Sequence, residues 1–338
     1  MYKFKSLIIA FVVLCLSACF PGGELDRHEA LLQGPTMGTT YNIKLVVAKD
    51  FDTQPLQAEI DVLLKQLNQE MSTYIPDSEL SRFNRSDSLA PVAVSKGLKR
   101  VMAEAIRLGE LSGGKLDVTV GPLVNLWGFG PDYRPETVPS EQQLALTRSR
   151  IGLDKLQLNG GQLSKSEPSL YVDLSTIAKG YGVDLVAEHI ESKGIMNYLV
   201  EIGGEMRLKG FKHTGELWHI AIEKPVTTER AVHQVIVPGD NAVATSGDYR
   251  NYYEVDGQRF SHIIDPATGK PINHKLVSVT VIHPSSMTAD GLSTAMMVMG
   301  EEQAYAFASQ NDIAAYIISK TDDGFKEQIT VKFAPYLK

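Results

Sequence analysis

The sequence predicts an α+β fold, a single large domain in which mainly antiparallel sheets are flanked by helices. Strand-like segments follow one another through the middle of the chain, and helical segments cluster instead of alternating regularly with strands. Consecutive strands of this kind favour antiparallel pairing. No low-complexity block or Pro/Gly-rich linker divides residues 32–338, so we expect one domain there.

The first half of the chain is predicted to hold a strand and three helices, each from a local pattern. Residues 41–47 alternate apolar and polar side chains, as a half-buried strand does. Apolar residues at helical spacing predict an amphipathic helix over residues 55–74. Ser95 is the predicted N-cap of a second helix that ends at a glycine pair, and Ser140 opens a third with a capping box.

The second half is predicted to be rich in strands. A helix capped by Ser175 or Thr176 and running to Gly194 follows the first of them. The predicted strands span residues 163–172, 198–208, 217–223, 232–237, 252–255, 259–264, 276–282, 314–319 and 328–333, and the helices span 290–299 and 302–310. Asp290 would therefore begin a helix.

The N-terminus has the pattern of an export signal. Its first residues are basic, and an almost unbroken apolar run leads to Leu16. The run is too short for a membrane-spanning helix and is typical of a secretory signal. Its ending, Leu16-Ser-Ala-Cys19, resembles the bacterial lipoprotein signal, in which the cysteine is lipidated. We expect a signal peptide over residues 1–18, then lipidated Cys19 and a flexible tether over residues 19–31. An ordinary signal peptide that contains a cysteine is the alternative.

Composition and missing motifs argue against several classes of function. The formal net charge of -7 does not favour nucleic-acid binding. The two cysteines, Cys15 and Cys19, leave no pair for an internal disulfide after processing. Residues 109–116 match a P-loop except at Leu116, where the motif needs a hydroxyl, and they end a predicted helix where a P-loop must begin one. Paired zinc-ligand histidines and a Gly-x-Ser-x-Gly elbow are both missing from the sequence.

Oxygen-bearing side chains in the last third of the chain suggest a phosphate and metal site. Helical spacing places the Thr294 hydroxyl one turn from the Asp290 carboxylate, a pair that suits Mg²⁺. The alternative is a helix-start acid and a core threonine. Asp173 and Lys179 either hold the polar groups of a ligand or serve as a helix cap and a solvated lysine. His262, just before an Asp-Pro turn, is either a catalytic residue or a turn histidine.

Eight blocks of the sequence carry a resemblance to a known family. They are Thr36-Met-Gly-Thr39, Met71-Ser-Thr-Tyr74, Asp117-Val-Thr-Val-Gly-Pro-Leu-Val-Asn-Leu-Trp-Gly-Phe-Gly130, Asp173-Leu-Ser-Thr-Ile-Ala-Lys-Gly180, Gly203-Gly-Glu205, Thr245-Ser-Gly-Asp-Tyr-Arg250, His262-Ile-Ile-Asp-Pro-Ala-Thr-Gly269 and Asp290-Gly-Leu-Ser-Thr294. In content and order they resemble the ApbE family, bacterial FAD:protein FMN transferases that are usually periplasmic lipoproteins. The match covers nearly all of the chain after the leader and implies a fold with a T-fold-like duplication.

The resemblance implies two sets of site residues. The FAD contacts would be Met37, Tyr74, Lys115, Leu116, Asp117, Asp173, Lys179, His262 and Ile264. The Mg²⁺ ligands would be Thr176, Asp290, Ser293 and Thr294, with Thr176 and Ser293 contributing backbone atoms. Thr176 stands where many family members carry alanine, a change that a backbone ligand tolerates.

The resemblance also implies a reaction and a partner. A hydroxyl of a target protein attacks the FMN-side phosphorus of FAD and AMP leaves, while Mg²⁺ neutralises the developing charge. His262 is the implied general base, and Asp290 is its rival. The implied targets are flavoprotein subunits of electron-transport complexes, of the sodium-pumping quinone reductase or Rnf type, with an Asp-x-x-x-Ser/Thr-Gly-Ala-Thr/Ser acceptor motif. The implied location of the enzyme is the periplasm, where a lipid anchors it to the membrane. The alternatives are an FAD pyrophosphatase that releases FMN and AMP, or a lipid-anchored FAD-binding protein without transferase activity.

Overall fold

The computed structural model describes residues 27–130, 138–225, 231–249, 251–255 and 257–338. The helices in these residues are α1 (Gln54–Met71), α2 (Glu79–Arg85), α3 (Lys96–Leu111), α4 (Gly121–Leu126), α5 (Glu141–Arg148), α6 (Ala178–Ser192), α7 (Ser286–Met299) and α8 (Glu301–Gln310). The strands are β1 (Arg27–Thr36), β2 (Thr39–Ala48), β3 (Val92–Ala93), β4 (Leu156–Asn159), β5 (Gln162–Lys165), β6 (Tyr198–Ile202), β7 (Glu205–Lys209), β8 (Ile220–Glu223), β9 (Val232–Ile236), β10 (Ala242–Gly247), β11 (Tyr252–Val255), β12 (Gln258–Ser261), β13 (Ile264–Asp265), β14 (Lys270–Pro271), β15 (Leu276–His283), β16 (Ala314–Thr321) and β17 (Gly324–Ile329). None of these helices combines the length and the apolarity needed to cross a membrane.

An antiparallel sheet of eight strands forms the centre of the fold, in the order β1-β2-β6-β7-β10-β15-β16-β17. Every neighbouring pair in it runs antiparallel. Apart from inserted short strands, each half of the sheet follows the same chain order, in which two strands are followed by helices and then by two more strands. The predicted α+β fold with mainly antiparallel sheets is confirmed, and the repeated order is that expected of a duplicated fold.

Helix α1 buries the side that its apolar spacing predicts. Leu56, Ile60 and Leu64 are buried, and they pack in one cluster with Val186 and Ile190 of α6 and with side chains of β1, β2 and β6. Burying an aliphatic side chain of this size stabilises a fold by about 1.5–3 kcal/mol. This packing holds α6 against the sheet, so that its first turn has a fixed place.

Helices α6 and α7 cap each other's N-termini. Asp184 of α6 accepts hydrogen bonds from the N–H groups of Ser286 (3.0 Å) and Met287 (3.0 Å). In return, Asp290 of α7 accepts one from the N–H of Gly180 (2.9 Å). A Cβ added at Gly180 would lie 2.4 Å from the Ser286 carbonyl oxygen, so the helices cross where no side chain fits. Each carboxylate satisfies N–H groups that a helix leaves unpaired at its start.

Asp184→Ala is expected to lower the free energy of unfolding by about 2–4 kcal/mol, because it leaves two buried N–H groups of α7 without an acceptor. Arg207 also loses one of its two carboxylate partners and keeps Glu191. The Asp184 side chain is fully buried and lies 3.1 Å from Arg207. Urea unfolding followed by circular dichroism measures the change. Asp184→Asn keeps an acceptor oxygen and is expected to lose less. Unfolding midpoints equal to the wild type in both variants would contradict the capping role.

The folded part of the chain begins earlier than predicted. β1 starts at Arg27, which pairs with Ala48 at the far end of β2. The predicted tether over residues 19–31 is therefore wrong in its last part. The mixed charge and weak periodicity of this segment did not predict a strand. It forms an edge strand, which needs only one buried face. The predicted signal peptide (residues 1–18), Cys19 and residues 20–26 lie outside the described residues.

Asp290 lies inside α7, not at its start. The helix begins at Ser286 with Ser285 as its N-cap, whose side chain accepts a hydrogen bond from the N–H of Thr288. The small and hydroxyl residues before Asp290 continue the helix because they pack in the core, where tertiary contacts outweigh weak helix propensity. The interpretation of Asp290 as a helix-start acid is therefore wrong.

Two other local predictions also fail. The predicted strand over residues 163–172 ends at Lys165, ahead of Pro168, which has no N–H to donate to a ladder. The predicted Ser175 or Thr176 cap is not made, since no side chain caps α6 locally. A carboxylate from α7 supplies the acceptor instead.

Candidate active site

Two adjoining cavities lie at the end of the central sheet where the β6–β7 turn is found. The first has a volume of about 410 Å³ and the second of about 690 Å³. Both are lined by Tyr74, Asp173, Ser175, Lys179 and Asn251, so these residues form the boundary between them. An elongated ligand placed at this boundary would reach both cavities.

Most residues that the family resemblance implies lie on these cavities. The first cavity is lined by Tyr74, Lys115, Leu116, Asp117, Asp173, Thr176, Lys179, His262, Ile264, Asp290 and Thr294. Met37 lines the second. Ser293 lines neither, because it is fully buried and its hydroxyl donates to the Asp290 carbonyl oxygen at 2.9 Å. The fold thus brings together segments that are far apart in the chain, and their contacts to FAD and metal stay predictions.

Met37 reaches the second cavity from the turn between β1 and β2. It and Gly38 form the two-residue connection, with φ values of 50° and 72°. Positive φ at both positions is the requirement of a type I′ hairpin turn. A methionine rarely adopts this conformation, because it costs free energy. Residues in such conformations are often found at functional sites.

Asp290 stands among hydroxyl groups at the base of the first cavity. Its own carboxylate is held by the Gly180 N–H, and the Ser246 hydroxyl from β10 bridges Ser293 (2.8 Å) and Thr294 (3.1 Å). Burial raises the pKa of Asp290, while the positive charge of Lys179 opposes this shift. A carboxylate placed this deep favours a cation beside it.

Lys179 lies between two carboxylates on the cavity wall. It donates a hydrogen bond to Glu205, whose side chain is only 6% exposed. Burial opposes the charge on Lys179, but Asp290 and Glu205 together raise its pKa. Burial raises the pKa of Glu205, with the charge of Asp290 adding to the shift and the ammonium group of Lys179 opposing it. Lys179 therefore stays an ammonium group facing the cavity.

His262 lies on the first cavity, and one of its ring nitrogens is hydrogen-bonded to the backbone. Its Nδ1 lies 2.9 Å from the carbonyl oxygen of Asn251, and because a carbonyl only accepts, Nδ1 carries the proton. The backbone N–H of His262 donates to the same oxygen at 3.2 Å. Burial lowers the pKa of His262 below its usual 6.5, the Asn251 carbonyl opposes this, and the charge of Lys179 adds to it. The ring is thus neutral near pH 7, with Nε2 able to accept a proton.

The donor atoms around Asp290 are of the kind that Mg²⁺ prefers. The Thr176 hydroxyl oxygen is buried without a hydrogen-bond partner, and Asp290 and Thr294 present oxygens to the same cavity. No group of three or more His, Cys, Asp or Glu side chains suited to a metal occurs in the part of the chain that the structure describes. One carboxylate with hydroxyl and carbonyl oxygens fits an ion that shares its shell with water and substrate phosphates.

The opposite wall comes from the segment after α3. Leu116 is buried, and the Asp117 carboxylate accepts hydrogen bonds from the N–H (2.7 Å) and hydroxyl (2.6 Å) of Thr119. Lys115 lies 3.4 Å from the Asp265 carboxylate, which joins this wall to β13. These contacts fix the backbone along which a ligand could lie.

Several residues on the first cavity had no role assigned from the sequence, among them Glu205, Ser246, Phe129 and Asn251. The first three each lie in one of the eight blocks, and Asn251 directly follows the block that contains Ser246. Their membership of these blocks was the available signal. Their roles depend on partners distant in the chain, such as Lys179 for Glu205, which no local pattern reveals.

The chain is similar to one known family and to its members. The sequence profile of the ApbE family matches residues 37–317. An FAD:protein FMN transferase of Vibrio cholerae is 56% identical over 334 residues, 98% of this chain and 99% of that protein. The protein of the same name from Haemophilus influenzae is 48% identical over 329 residues, 95% of both chains.

Solved structures agree with the sequence matches. The flavin transferase ApbE from Vibrio cholerae superposes with a TM-score of 0.87 at 57% identity, covering 92% of this chain and 100% of that one. The flavinyl transferase ApbE of Pseudomonas stutzeri, in its apo form, gives a TM-score of 0.85 at 40% identity, covering 92% and 97%. Sequence and fold therefore match over the same region that forms the two cavities.

Proposed function

The chain belongs to the ApbE family and is an FAD:protein FMN transferase, and we propose that it moves FMN from FAD to a serine or threonine hydroxyl of a target protein. AMP is the leaving group in this proposal, and Mg²⁺ binds at Asp290. The observation that carries it is the convergence of Lys179, His262 and Asp290 on one cavity. A fixed cation, a neutral imidazole and an oxygen-rich cation site are the parts that phosphoryl transfer requires.

The two adjoining cavities support FAD as the ligand. FAD has a flavin end and an adenosine end joined by a diphosphate, so it needs two binding spaces and a polar boundary between them. Lys179 lies on that boundary and presents its ammonium group there. A diphosphate beside it would gain a charge-assisted hydrogen bond.

The chain's own residues account for each proton and charge of the transfer. The acceptor hydroxyl oxygen attacks the FMN-side phosphorus while its proton passes to Nε2 of His262. The bond between that phosphorus and the bridging oxygen breaks, and AMP leaves with the electron pair. Lys179 offsets charge on the phosphates. The nucleophile belongs to the target, so this chain needs no catalytic triad of its own.

Mg²⁺ would be held by Asp290, the Thr294 hydroxyl and the backbone carbonyl of Thr176, with Ser293 contributing a backbone atom. When bound, it supplies charge neutralisation at the diphosphate and orients the leaving group. The support for this assignment is the buried Asp290 carboxylate, with Thr176 and Thr294 beside it on the same cavity. Asp290 is then a poor base, since its charge is engaged by the cation, which favours His262 for that role.

Transfer and hydrolysis of FAD differ only in the nucleophile, so one assay separates them. The protein is incubated with FAD, with Mg²⁺ or with EDTA, and with an acceptor domain carrying the Asp-x-x-x-Ser/Thr-Gly-Ala-Thr/Ser motif. A flavin-fluorescent acceptor band after denaturing electrophoresis, seen only with Mg²⁺, supports the proposal. An acceptor whose hydroxyl residue is replaced by alanine is the control. Free FMN with AMP and no band would indicate a pyrophosphatase, and intact FAD a binding protein.

We place the enzyme in the periplasm, anchored to the membrane through Cys19, where it would meet flavoprotein subunits of electron-transport complexes. Cys19→Ala is expected to abolish lipidation, since Leu16-Ser-Ala-Cys19 ends the leader. Metabolic labelling with a radioactive fatty acid measures this. Cys15→Ala is the matched control and should keep its label. Label retained on the Cys19→Ala variant would contradict the anchor.

A further inference from the structure

Two aromatic residues that follow α4 and two from β11 and β12 form a column that ends on His262. Trp127 packs on Phe260 with ring centroids 5.3 Å apart, and Phe260 stacks on Tyr253 at 5.3 Å. Tyr253 contacts Phe129 at 5.1 Å, and Phe129 meets the His262 ring edge-on at 6.3 Å and 66°. The transfer reaction as described above gives this column no role.

The end of α4 fixes the position of Phe129. The N–H of Phe129 donates to the Val124 carbonyl (2.9 Å) and that of Gly128 to the Asn125 carbonyl (2.9 Å). With Gly128 at a φ of 76°, these two bonds form a Schellman motif. The far end of the column is tied down as well, because the Trp127 indole N–H donates to the Gly269 carbonyl at 2.8 Å.

We infer that Phe129 is a positioning residue for the base: it holds the His262 imidazole with Nε2 toward the cavity and keeps bulk water from the ring. The inference rests on the proposed role of His262. The Asn251 carbonyl holds Nδ1 by a single hydrogen bond, which breaks when the ring turns about its Cβ–Cγ bond. A side chain packed against the ring opposes this turn, and Phe129 makes such a contact. Together the two contacts hold the ring in one orientation.

The same contact bears on the protonation of His262. Among the residues that the structure describes, Lys179 from α6 is the charged group that acts on the imidazole, and it disfavours the imidazolium form. An apolar ring beside the imidazole acts in the same direction, because it excludes the water that would solvate the charge. Removing Phe129 should therefore let the pKa of His262 rise toward its usual 6.5.

The test uses Phe129→Ala and Phe129→Leu in the full chain, with imidazole ¹⁵N chemical shifts recorded against pH. The wild type should show Nδ1 protonated and Nε2 bare at neutral pH. In Phe129→Ala we expect a mixture of tautomers, a higher titration midpoint and a fall in kcat of up to about 10²-fold, with FAD affinity retained. Phe129→Leu keeps apolar bulk and should lie between the two, and it serves if the alanine variant fails to fold.

Phe211→Ala is the control, since that side chain is 51% exposed and belongs to a different part of the surface. It should leave the ¹⁵N spectrum and kcat unchanged. An unaltered tautomer and midpoint in both Phe129 variants would overturn the inference, whether or not kcat falls. A loss of FAD affinity in proportion to kcat with the spectrum unchanged would make Phe129 a ligand contact instead. The imidazole ¹⁵N spectrum tests the role of Phe129 even if the protein transfers no FMN. Failure of the proposed function would appear in the transfer rate and not in this spectrum.

Discussion

His262→Ala is expected to slow FMN transfer by about 10²–10⁴-fold while FAD and Mg²⁺ still bind, because the acceptor hydroxyl loses the group that takes its proton. The wild-type rate should fall as pH drops through the pKa of His262. Burial lowers this pKa, so the acid limb should lie below pH 6.5. Neutral imidazole is the active form, so the rate is full above that pKa and lost below it. Single-turnover transfer measured from low to neutral pH gives both results.

Two controls separate chemistry from structure at this position. His189→Gln changes a histidine that contacts Glu59 away from both cavities, and it should keep the rate and the acid limb. Added imidazole should restore part of the rate to His262→Ala by entering the space left by the side chain. If the variant loses FAD affinity in proportion to its rate, His262 is a binding residue and Asp290 becomes the favoured proton acceptor.

Asp290→Asn is expected to leave the fold intact and to weaken Mg²⁺ binding by about 10–100-fold or more. Mutating a residue that only hydrogen-bonds to a metal's ligands already costs this much affinity. The asparagine oxygen can still accept the Gly180 N–H, so the start of α6 stays capped. Transfer should then need much higher Mg²⁺, because the diphosphate loses its neutralising cation. Titration of the transfer rate with Mg²⁺, alongside calorimetric binding of Mg²⁺ with FAD, measures the change.

Asp312→Asn removes the same formal charge from an exposed site, where the side chain is 78% accessible, and should leave the Mg²⁺ dependence as in the wild type. Normal transfer by Asp290→Asn at low Mg²⁺ would show that Asp290 only caps α6. The structure already gives that role to the residue, so the Mg²⁺ titration decides whether it has a second one.

The sequence was sufficient for features set by neighbours in the chain. Ser95 caps α3 and Ser140 forms a capping box, both as predicted, because each needs only residues within one helical turn. The apolar side of α1 was equally predictable from its spacing. Family resemblance added the residues that line the cavities, which spacing alone left open.

The features that could not be predicted from the sequence depend on contacts between residues far apart in the chain. The Asp290–Gly180 hydrogen bond joins positions 110 residues apart, so neither the cap of α6 nor the place of Asp290 within α7 follows from local signals. The Lys179–Glu205 pair spans 26 residues and crosses from a helix to a strand. Long-range pairs of this kind form only when the helices pack on the sheet. They determine which side chains of the site are charged.

The phosphorus atoms of FAD show most directly whether FMN passes to the acceptor or to water. The protein, FAD, Mg²⁺ and the acceptor domain are mixed, and ³¹P NMR is recorded with the intact mass of the acceptor. We expect AMP to appear in equal amount to a new phosphodiester signal on the acceptor, whose mass should rise by one FMN less water. Equal amounts of AMP and free FMN, with the acceptor unmodified, would contradict the proposed transfer.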